Sequence, residues 1–352
     1  MKTVGAIPEM NPRKLFLPAH HSSLRWLCFA VCLLNLLLID AEVAAQSKLT
    51  PIRTAYSALS AGIGTLWLTH EDGHFRKHGL ESNLIYIRGG STAVQAILAG
   101  EIQFGHLSPA PMLTAWSQGA DFVWVGTTTH QMVFTLLAEP TINKGSELKG
   151  KKIGITRIGS STHTATLHVL AKAGLNPGDY NLLPLIEVPN ILTALLAGQI
   201  DAGIVSPPTN SRAKKEGLNE LVDLAIDGPE YPSNTIATTR SYIRANEEIT
   251  RRVVRAYAEA VYLFKSNKQV GMKAIQKYTR VKEPEILEDT YIQFREYIDA
   301  IPYVSKEGLT TLLSNMGEKE PRARQMRLED LMDMRFVAEL EREGFFKKLW
   351  GK

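Results

Sequence analysis

A 14-residue segment occurs twice in this chain and constrains its fold more than any other feature. Residues 96–109 read AILAGEIQFGHLSP and residues 194–207 read ALLAGQIDAGIVSP, with eight identical positions. In each copy a helical apolar pattern ends at a glycine, Gly100 or Gly198, and a short strand then ends at Ser-Pro. One repeat is too few for a solenoid but is typical of two similar α/β lobes. The repeat therefore predicts two lobes with a cleft between them.

The residues around each copy extend it into an alternating α/β unit. Strands are predicted at 52–57, 83–87, 103–107 and 122–127, with helices near 62–77 and 109–117. A second alternation runs from 148 to 225, between breaks at Glu139-Pro140 and Gly228-Pro229. Ahead of the two repeated helices lie candidate caps, Ser91-Thr92 and Asn190. Both units are thus predicted to share the order strand, loop, helix, strand.

The rest of the chain completes the predicted architecture. Residues 247–346 have a mostly helical pattern, and we expect these C-terminal helices to dock on lobe one. The fold class is α/β, with two Rossmann-like lobes that have mixed sheets and are joined by a hinge of two crossings near residues 138 and 235. Lobe one is predicted to comprise residues 46–137 and 238–352, and lobe two residues 138–237.

The first 45 residues have the pattern of a secretion signal. Basic residues precede a 14-residue apolar run from Trp26 to Ile39, and small residues follow before Gln46. A helix that spans a bilayer needs about 20 residues, so an uncleaved membrane anchor is the alternative and not the main prediction. We expect cleavage near Ala45-Gln46 and a periplasmic protein.

Charge and cysteine content exclude several function classes. Of 40 basic and 36 acidic residues, four and three precede residue 46, so the processed chain has a net charge of +3. So small a surplus indicates no nucleic-acid partner. Both cysteines, Cys28 and Cys32, also precede residue 46, which excludes disulfides and cysteine nucleophiles from the processed chain.

The candidate binding residues follow from the predicted topology. In α/β lobes, ligands bind at the carboxyl ends of strands, where helix N-termini present free N–H groups that favour anions. Glycines allow close backbone approach there, and hydroxyls and amides bind without adding charge. The predicted ligand-binding residues are Ser57, Ser60, Gly90, Ser91, Thr92, Ser108, Arg157, Gly159, Ser160, Ser161, Thr162, Asn190 and Ser206.

Each of these residues also has an ordinary structural interpretation. The hydroxyl groups could be helix caps, and Arg157 could be a solvated surface arginine instead of a partner for a carboxylate or sulfonate. His70, His74 and His78 recur at four-residue steps, a spacing that metal ligands can have, but Gly73 interrupts it and a solvated helix face explains the pattern as well. We expect no metal, no cofactor and no catalytic residue.

Several short motifs together resemble a known family, the nitrate, sulfonate and taurine-type substrate-binding proteins of ABC transporters. The resemblance runs from about Ile52 to Phe345, and the segments that carry it are Leu66-Trp67, Glu71–Gly73, Phe75, His78–Leu80, Gly89–Thr92, Leu148–Gly154, Ala194–Ala202 and Glu343–Phe345. It implies the type II periplasmic binding protein fold and ligand contacts in the loops at Gly89–Thr92, Gly159–Thr162 and Ser206. It also implies a non-catalytic receptor that closes on a small solute and delivers it to a membrane permease with a separate ATPase subunit. We expect this receptor to be a monomer.

Two alternative functions use the same fold. An enzyme of the pyrimidine-forming or chorismate-processing type is one, although the pyrimidine-forming relatives carry a cysteine-rich motif that the processed chain lacks. A sensory partner that presents its ligand to a membrane receptor is the other.

Overall fold

The computed structural model describes residues 49–317 and 325–351. The predicted secretion signal and its cleavage site lie outside these residues. Among the described residues, no helix is long and apolar enough to cross a membrane.

The strands of the described residues form two five-stranded sheets. They are β1 (Thr50–Tyr56), β2 (Leu80–Tyr86), β3 (Phe104–Leu107), β4 (Phe122–Gln131), β5 (Thr135–Ala138), β6 (Lys152–Ile155), β7 (Asn181–Pro184), β8 (Ala202–Val205), β9 (Asn219–Asp223) and β10 (Glu230–Thr239). The first sheet has the order β2-β1-β3-β10-β4 and the second the order β7-β6-β8-β5-β9. In each sheet the first three strands are parallel and the remaining two pair in antiparallel fashion. The predicted mixed sheets are therefore confirmed.

Helices connect and cover these strands. They are α1 (Gly64–Glu71), α2 (His74–Lys77), α3 (Gly90–Leu98), α4 (Pro109–Ser117), α5 (Ser161–Lys172), α6 (Val188–Leu196), α7 (Thr209–Lys215), α8 (Leu224–Asp227), α9 (Arg240–Ala245), α10 (Glu247–Ser266), α11 (Lys268–Thr279), α12 (Pro284–Tyr297), α13 (Lys306–Gly317), α14 (Leu328–Leu331), α15 (Arg335–Arg342) and α16 (Phe345–Trp350). Short 3-10 helices lie at Ala61–Ile63 and Gly145–Leu148.

The sequence repeat occupies equivalent places in the two lobes. Its helices are α3 and α6, and its strands, β3 and β8, are third in the order of their sheets. Inside the repeat, Gly105 and Gly203 leave no room for a side chain, because an added Cβ would lie 2.6 Å from Ile97 and 2.4 Å from Ile191. Each repeated glycine thus lets its helix pack directly on its own strand.

The chain crosses between the sheets twice. β4 lies in the first sheet and β5 in the second, so the outward connection is residues 132–134. The return connection is residues 228–229, because β10 already pairs in the first sheet. These connections lie several residues before the predicted hinge positions near 138 and 235. Gly228-Pro229 coincides with the return connection, whereas Glu139-Pro140 lies after β5 and therefore after the outward connection.

The C-terminal helices pack on the first sheet, as predicted. The apolar stripe of α10, which includes Val253, Tyr257 and Phe264, is buried together with Trp67 of α1 and Ile52 of β1. A hydrogen-bond chain joins the same elements: the Tyr257 hydroxyl lies 2.8 Å from Thr65 Oγ1 and 2.6 Å from His106 Nε2. This packing holds the carboxyl ends of β1 and β3 in fixed positions at the cleft.

Candidate functional site

A cavity of about 90 Å³ lies between the two lobes, at the carboxyl ends of the parallel strands. Both lobes and the outward crossing contribute to its wall. The lining residues are Ser57, Ala58, Leu59, Ser60, Ile63, Tyr86, Gly89, Gly90, Ser108, Pro111, Val133, Phe134, Thr156, Ser160, Ser161, Thr162, Ile186, Glu187, Val188, Ser206, Ser233, Asn234 and Phe294. Eight of the thirteen predicted site residues are among them: Ser57, Ser60, Gly90, Ser108, Ser160, Ser161, Thr162 and Ser206.

Three of the serines present unpaired hydroxyl groups to this cavity. Ser57 follows β1, Ser108 follows β3 and Ser206 follows β8, and none of these hydroxyls bonds to another described residue. Ser206 is only 3% exposed. Each of these three hydroxyls can therefore donate to or accept from a group in the cavity.

Three other hydroxyls in the cavity wall bond to one another. Thr156, Ser160 and Thr162 form a triangle with oxygen-to-oxygen distances of 2.9 Å on each side. The Ser160 oxygen also caps α5 by accepting from the His163 N–H. For Ser160 the structure therefore shows the cap interpretation, and this triangle fixes the shape of the loop ahead of α5.

One helix N-terminus from each lobe points into the cavity. α3 begins at Gly90 and α5 at Ser161, both lining residues, and the first N–H groups of a helix have no acceptor within it. The Gly89-Gly90 pair permits this approach: Gly89 has a φ of 87°, and a Cβ on Gly90 would lie 2.6 Å from the Pro111 ring. Helix dipoles and free N–H groups favour a negative group between the two termini.

Glu187 is the only Asp, Glu, Lys or Arg among the lining residues. It belongs to lobe two but bonds to lobe one, where its Oε1 accepts from the Tyr86 hydroxyl at 2.7 Å and lies 3.0 Å from Arg88 Nε. Burial and the neighbouring carboxylate raise the pKa of Tyr86, so its hydroxyl remains a donor. The pair Tyr86–Glu187 thus spans the cleft.

Comparison with known proteins assigns the chain to a family. The profile of the family described as NMT1/THI5 like matches residues 62–268, more than half of the chain. The chain belongs to this family. An Escherichia coli K12 protein that carries the name aliphatic sulfonates-binding protein is 27% identical over 254 residues, which cover 69% of this chain and 76% of that protein.

Solved structures share the fold of this NMT1/THI5-like protein. The alkanesulfonate-binding protein of Xanthomonas axonopodis pv. citri, solved bound to MOPS, has a TM-score of 0.67 and 22% identity, covering 78% of this chain and 94% of that one. A desulfurization enzyme has a TM-score of 0.62 and 16% identity, covering 83% of this chain and 99% of that one. The predicted periplasmic-binding-protein fold is confirmed. The similarity to the desulfurization enzyme concerns only the fold.

Five predicted site residues of this NMT1/THI5-like protein lie outside the cavity wall. Ser91 and Thr92 follow Gly90 inside α3, and Asn190 is exposed inside α6, where its Nδ2 donates to the Leu185 carbonyl. The two helices begin at Gly90 and Val188, so the predicted caps Ser91-Thr92 and Asn190 are wrong. The physical reason is that Gly89 already ends the loop before α3, while Pro189 fits within the first turn of α6.

The last two residues outside the wall are Arg157 and Gly159. The Arg157 guanidinium packs on Gly89, and its Nη2 lies 3.4 Å from the Arg88 carbonyl oxygen. Arg157 is therefore half-buried against Gly89 and is not among the residues that line the cavity. Gly159 lines a separate cavity of about 490 Å³ beside α4 and α5.

The wall also contains residues that sequence reasoning missed. Glu187 and Ile186 were not predicted to line the cavity because the start of α6 was predicted three residues too late. Tyr86 lies at the end of a strand, and nothing in the sequence of that strand indicates a binding residue. Phe134, Asn234 and Phe294 reach the cavity from the outward crossing, from β10 and from α12, positions that only the tertiary fold brings together. Aromatic and apolar groups thus face the hydroxyl groups across the cavity.

The three regularly spaced histidines do not share a helix face. The helix breaks at Gly73, which has a φ of 73°, and His74 and His78 then lie 3.1 and 3.2 Å from a carboxylate oxygen of Glu259. Lys77 Nζ lies 2.9 Å from the same oxygen. In the described residues no group of three or more His, Cys, Asp or Glu could hold a metal ion. The cluster joins α2 to α10.

Proposed function

We propose that this protein is the exported solute-binding component of an ABC importer. In this role the lobes close on a small anionic or polar solute, and the closed protein delivers it to a membrane permease that a separate ATPase subunit drives. Membership of the NMT1/THI5-like family supports the proposal, as does the sulfonate-binding name of a relative that covers 69% of the chain. The protein then acts as a receptor and not as an enzyme.

One observation carries the proposal. Unpaired hydroxyls from three strand ends, Ser57, Ser108 and Ser206, line one cavity together with the N-termini of α3 and α5. Neutral donors of this kind stabilise a negative or strongly polar group and release it again, because no buried opposite charge has to be separated. Reversible capture between two lobes is the task of a transport receptor.

The solute contacts of this receptor are Ser57, Ser60, Gly90, Ser108, Ser161 and Ser206, with Tyr86 and Phe294 against its apolar part. Ser60 has a second role, since its hydroxyl lies 3.4 Å from the Pro207 carbonyl oxygen in the other lobe. Ligand and lobe contacts therefore lie side by side, which couples binding to closure.

The fold shared with a desulfurization enzyme makes an enzyme of this fold the second candidate. A catalytic nucleophile would have to be a serine, threonine or other non-thiol group, because both cysteines precede residue 46. The cavity wall contains no histidine that could act as a general base for its serines.

The test is a ligand screen by thermal stability, followed by mass spectrometry of any bound compound. The panel contains sulfonates, carboxylates, inorganic oxyanions and pyrimidines. A ligand at 100 times its dissociation constant stabilises the folded protein by about 2.7 kcal/mol, which is visible as a shift in Tm. Recovery of the compound unchanged supports the receptor, whereas a chemically altered compound supports the enzyme.

A further inference from the structure

The charges around the cleft disfavour a ligand that carries two negative charges. Glu187 is the only Asp, Glu, Lys or Arg in the cavity wall, and its side chain is 17% exposed. The nearby guanidinium groups of Arg88 and Arg157 are not among the lining residues: Arg88 lies against Glu187, and Arg157 packs on Gly89, with its Nη2 3.4 Å from the Arg88 carbonyl oxygen and its Nε without a partner among the described residues. A ligand in the cavity therefore meets neutral donors and one carboxylate.

The backbone holds that carboxylate in place. Ile186, just before it, has a φ of 72°, which is rare for a β-branched residue. The turn is closed by the Glu187 N–H, which donates to the Leu185 carbonyl at 2.8 Å, and by the Ile186 N–H, which donates to the Thr156 carbonyl at 2.8 Å. Although Glu187 directly precedes α6, its side chain makes no cap bond and is directed to Tyr86 in the other lobe.

We infer that Glu187 is a specificity-determining residue that restricts the solute to singly charged anions and excludes dianions. The inference rests on the proposed function, because it concerns the same cleft. Hydroxyl and N–H donors stabilise one negative charge, such as that of a sulfonate or carboxylate. Among the described residues the cavity wall offers no Lys or Arg to a second charge, and the Glu187 carboxylate repels that charge.

The experiment compares two probes of matched shape, ethanesulfonate and ethylphosphonate, by calorimetric titration of purified protein expressed from the full-length sequence. Ethanesulfonate carries one charge at every working pH, whereas ethylphosphonate carries two in alkaline buffer and one in mildly acidic buffer. We expect ethylphosphonate to bind on the order of 100-fold more weakly than ethanesulfonate in alkaline buffer, and the difference to shrink in acidic buffer.

Two variants with opposite charge changes provide the control. Glu187→Gln keeps an oxygen acceptor for Tyr86, and it should raise the affinity for ethylphosphonate relative to ethanesulfonate by about tenfold or more. Arg88→Gln removes the countercharge and should lower the same ratio. Equal affinity of the wild type for both probes, or a ratio that does not respond to Glu187→Gln, overturns the inference and leaves the receptor intact. Failure of the wild type to bind either probe instead counts against anion capture, and so against the proposed function.

Discussion

At the scale of single residues, the serines of the cleft either have an unpaired hydroxyl or use their hydroxyl to stabilise the fold. One substitution in each group tests this difference. Ser206→Ala removes an unpaired hydroxyl that is 3% exposed, so the free energy of unfolding should stay the same or rise slightly. Its affinity for a ligand from the screen should fall by about 1 kcal/mol, or roughly fivefold in Kd. Calorimetric titration and urea denaturation measure the two effects.

Ser160→Ala is the matched control, because Ser160 lines the same cavity but caps α5. Loss of a cap should lower the free energy of unfolding by about 1 kcal/mol. A Ser206→Ala protein that is destabilised as much as Ser160→Ala would show that Ser206 has a structural role instead.

A buried histidine makes stability depend on pH. His106 is 1% exposed, and burial lowers its pKa from 6.5 to about 3. Below pH 6.5 the unfolded chain therefore binds a proton that the folded chain excludes, so stability falls as the pH falls from 6.5 towards 3. The loss is about 1.4 kcal/mol per pH unit within that window.

His106→Gln can still bond to Tyr257 and has no titrating group. The unfolding free energies of the variant and the wild type are measured in urea at a series of pH values. Their difference should be constant above pH 6.5, and below pH 6.5 it should shift in favour of the variant as the pH falls. Parallel pH curves for the two proteins would contradict the prediction, since carboxylate titrations are common to both.

Sequence patterns placed several serines in the cavity wall at this scale because strand ends and serines coincide. The repeated Ser-Pro step located Ser108 and Ser206, and the first strand located Ser57. Glu187 was missed because α6 was predicted to start three residues too late, and a turn with positive φ at Ile186 directs its side chain across the cleft. Sequence patterns do not reveal such a turn at an isoleucine.

At the scale of elements, α11 ends in a strained position that can be relieved. Arg280 follows its last turn with a φ of 57°, a left-handed conformation that costs a non-glycine residue about 1–2 kcal/mol. Glycine removes this strain, but it also costs more conformational entropy on folding. The net effect of Arg280→Gly should be an increase of about 0.5–1 kcal/mol in the unfolding free energy. The midpoint of urea denaturation measures the change.

Lys273→Gly is the control, since Lys273 is exposed in the middle of the same helix. That substitution should destabilise the protein by about 1 kcal/mol. If both glycines destabilise the protein to the same extent, the terminal position carries no strain.

The order of elements was predictable because each lobe alternates locally, and the break at Gly228-Pro229 coincides with the return crossing. The outward crossing was not predictable, since Glu139-Pro140 follows β5 and the crossing depends on which sheet accepts β5. That choice is made by tertiary pairing, such as Thr135 with Val205 and Thr235 with Leu107, between residues far apart in the chain.

At the scale of the whole molecule, a second set of contacts joins the lobes outside the cleft. α7 of lobe two packs on α12, which belongs to the core of lobe one. The Ser211 hydroxyl donates to Asp289 Oδ2 at 2.5 Å, and Asn210 Nδ2 donates to Gln293 Oε1 at 3.2 Å. Ser211 and Asn210 are buried, Gln293 is half-buried and Asp289 is exposed, and these groups must be separated when the lobes open.

The Asp289 carboxylate should therefore stabilise the closed form through its bond with Ser211. Asp289→Ala removes the acceptor of Ser211 across the lobes and of Gln293 within α12, and a hydrogen bond to an exposed charged group contributes about 1 kcal/mol. We expect the variant without ligand to have a larger radius of gyration in small-angle scattering, and a bound ligand to dissociate about fivefold faster. Glu288→Ala is the control on the same helix, because Glu288 pairs with Lys268 within lobe one. An equal increase in both variants would show that net charge, and not the contact between α7 and α12, sets the opening of the lobes.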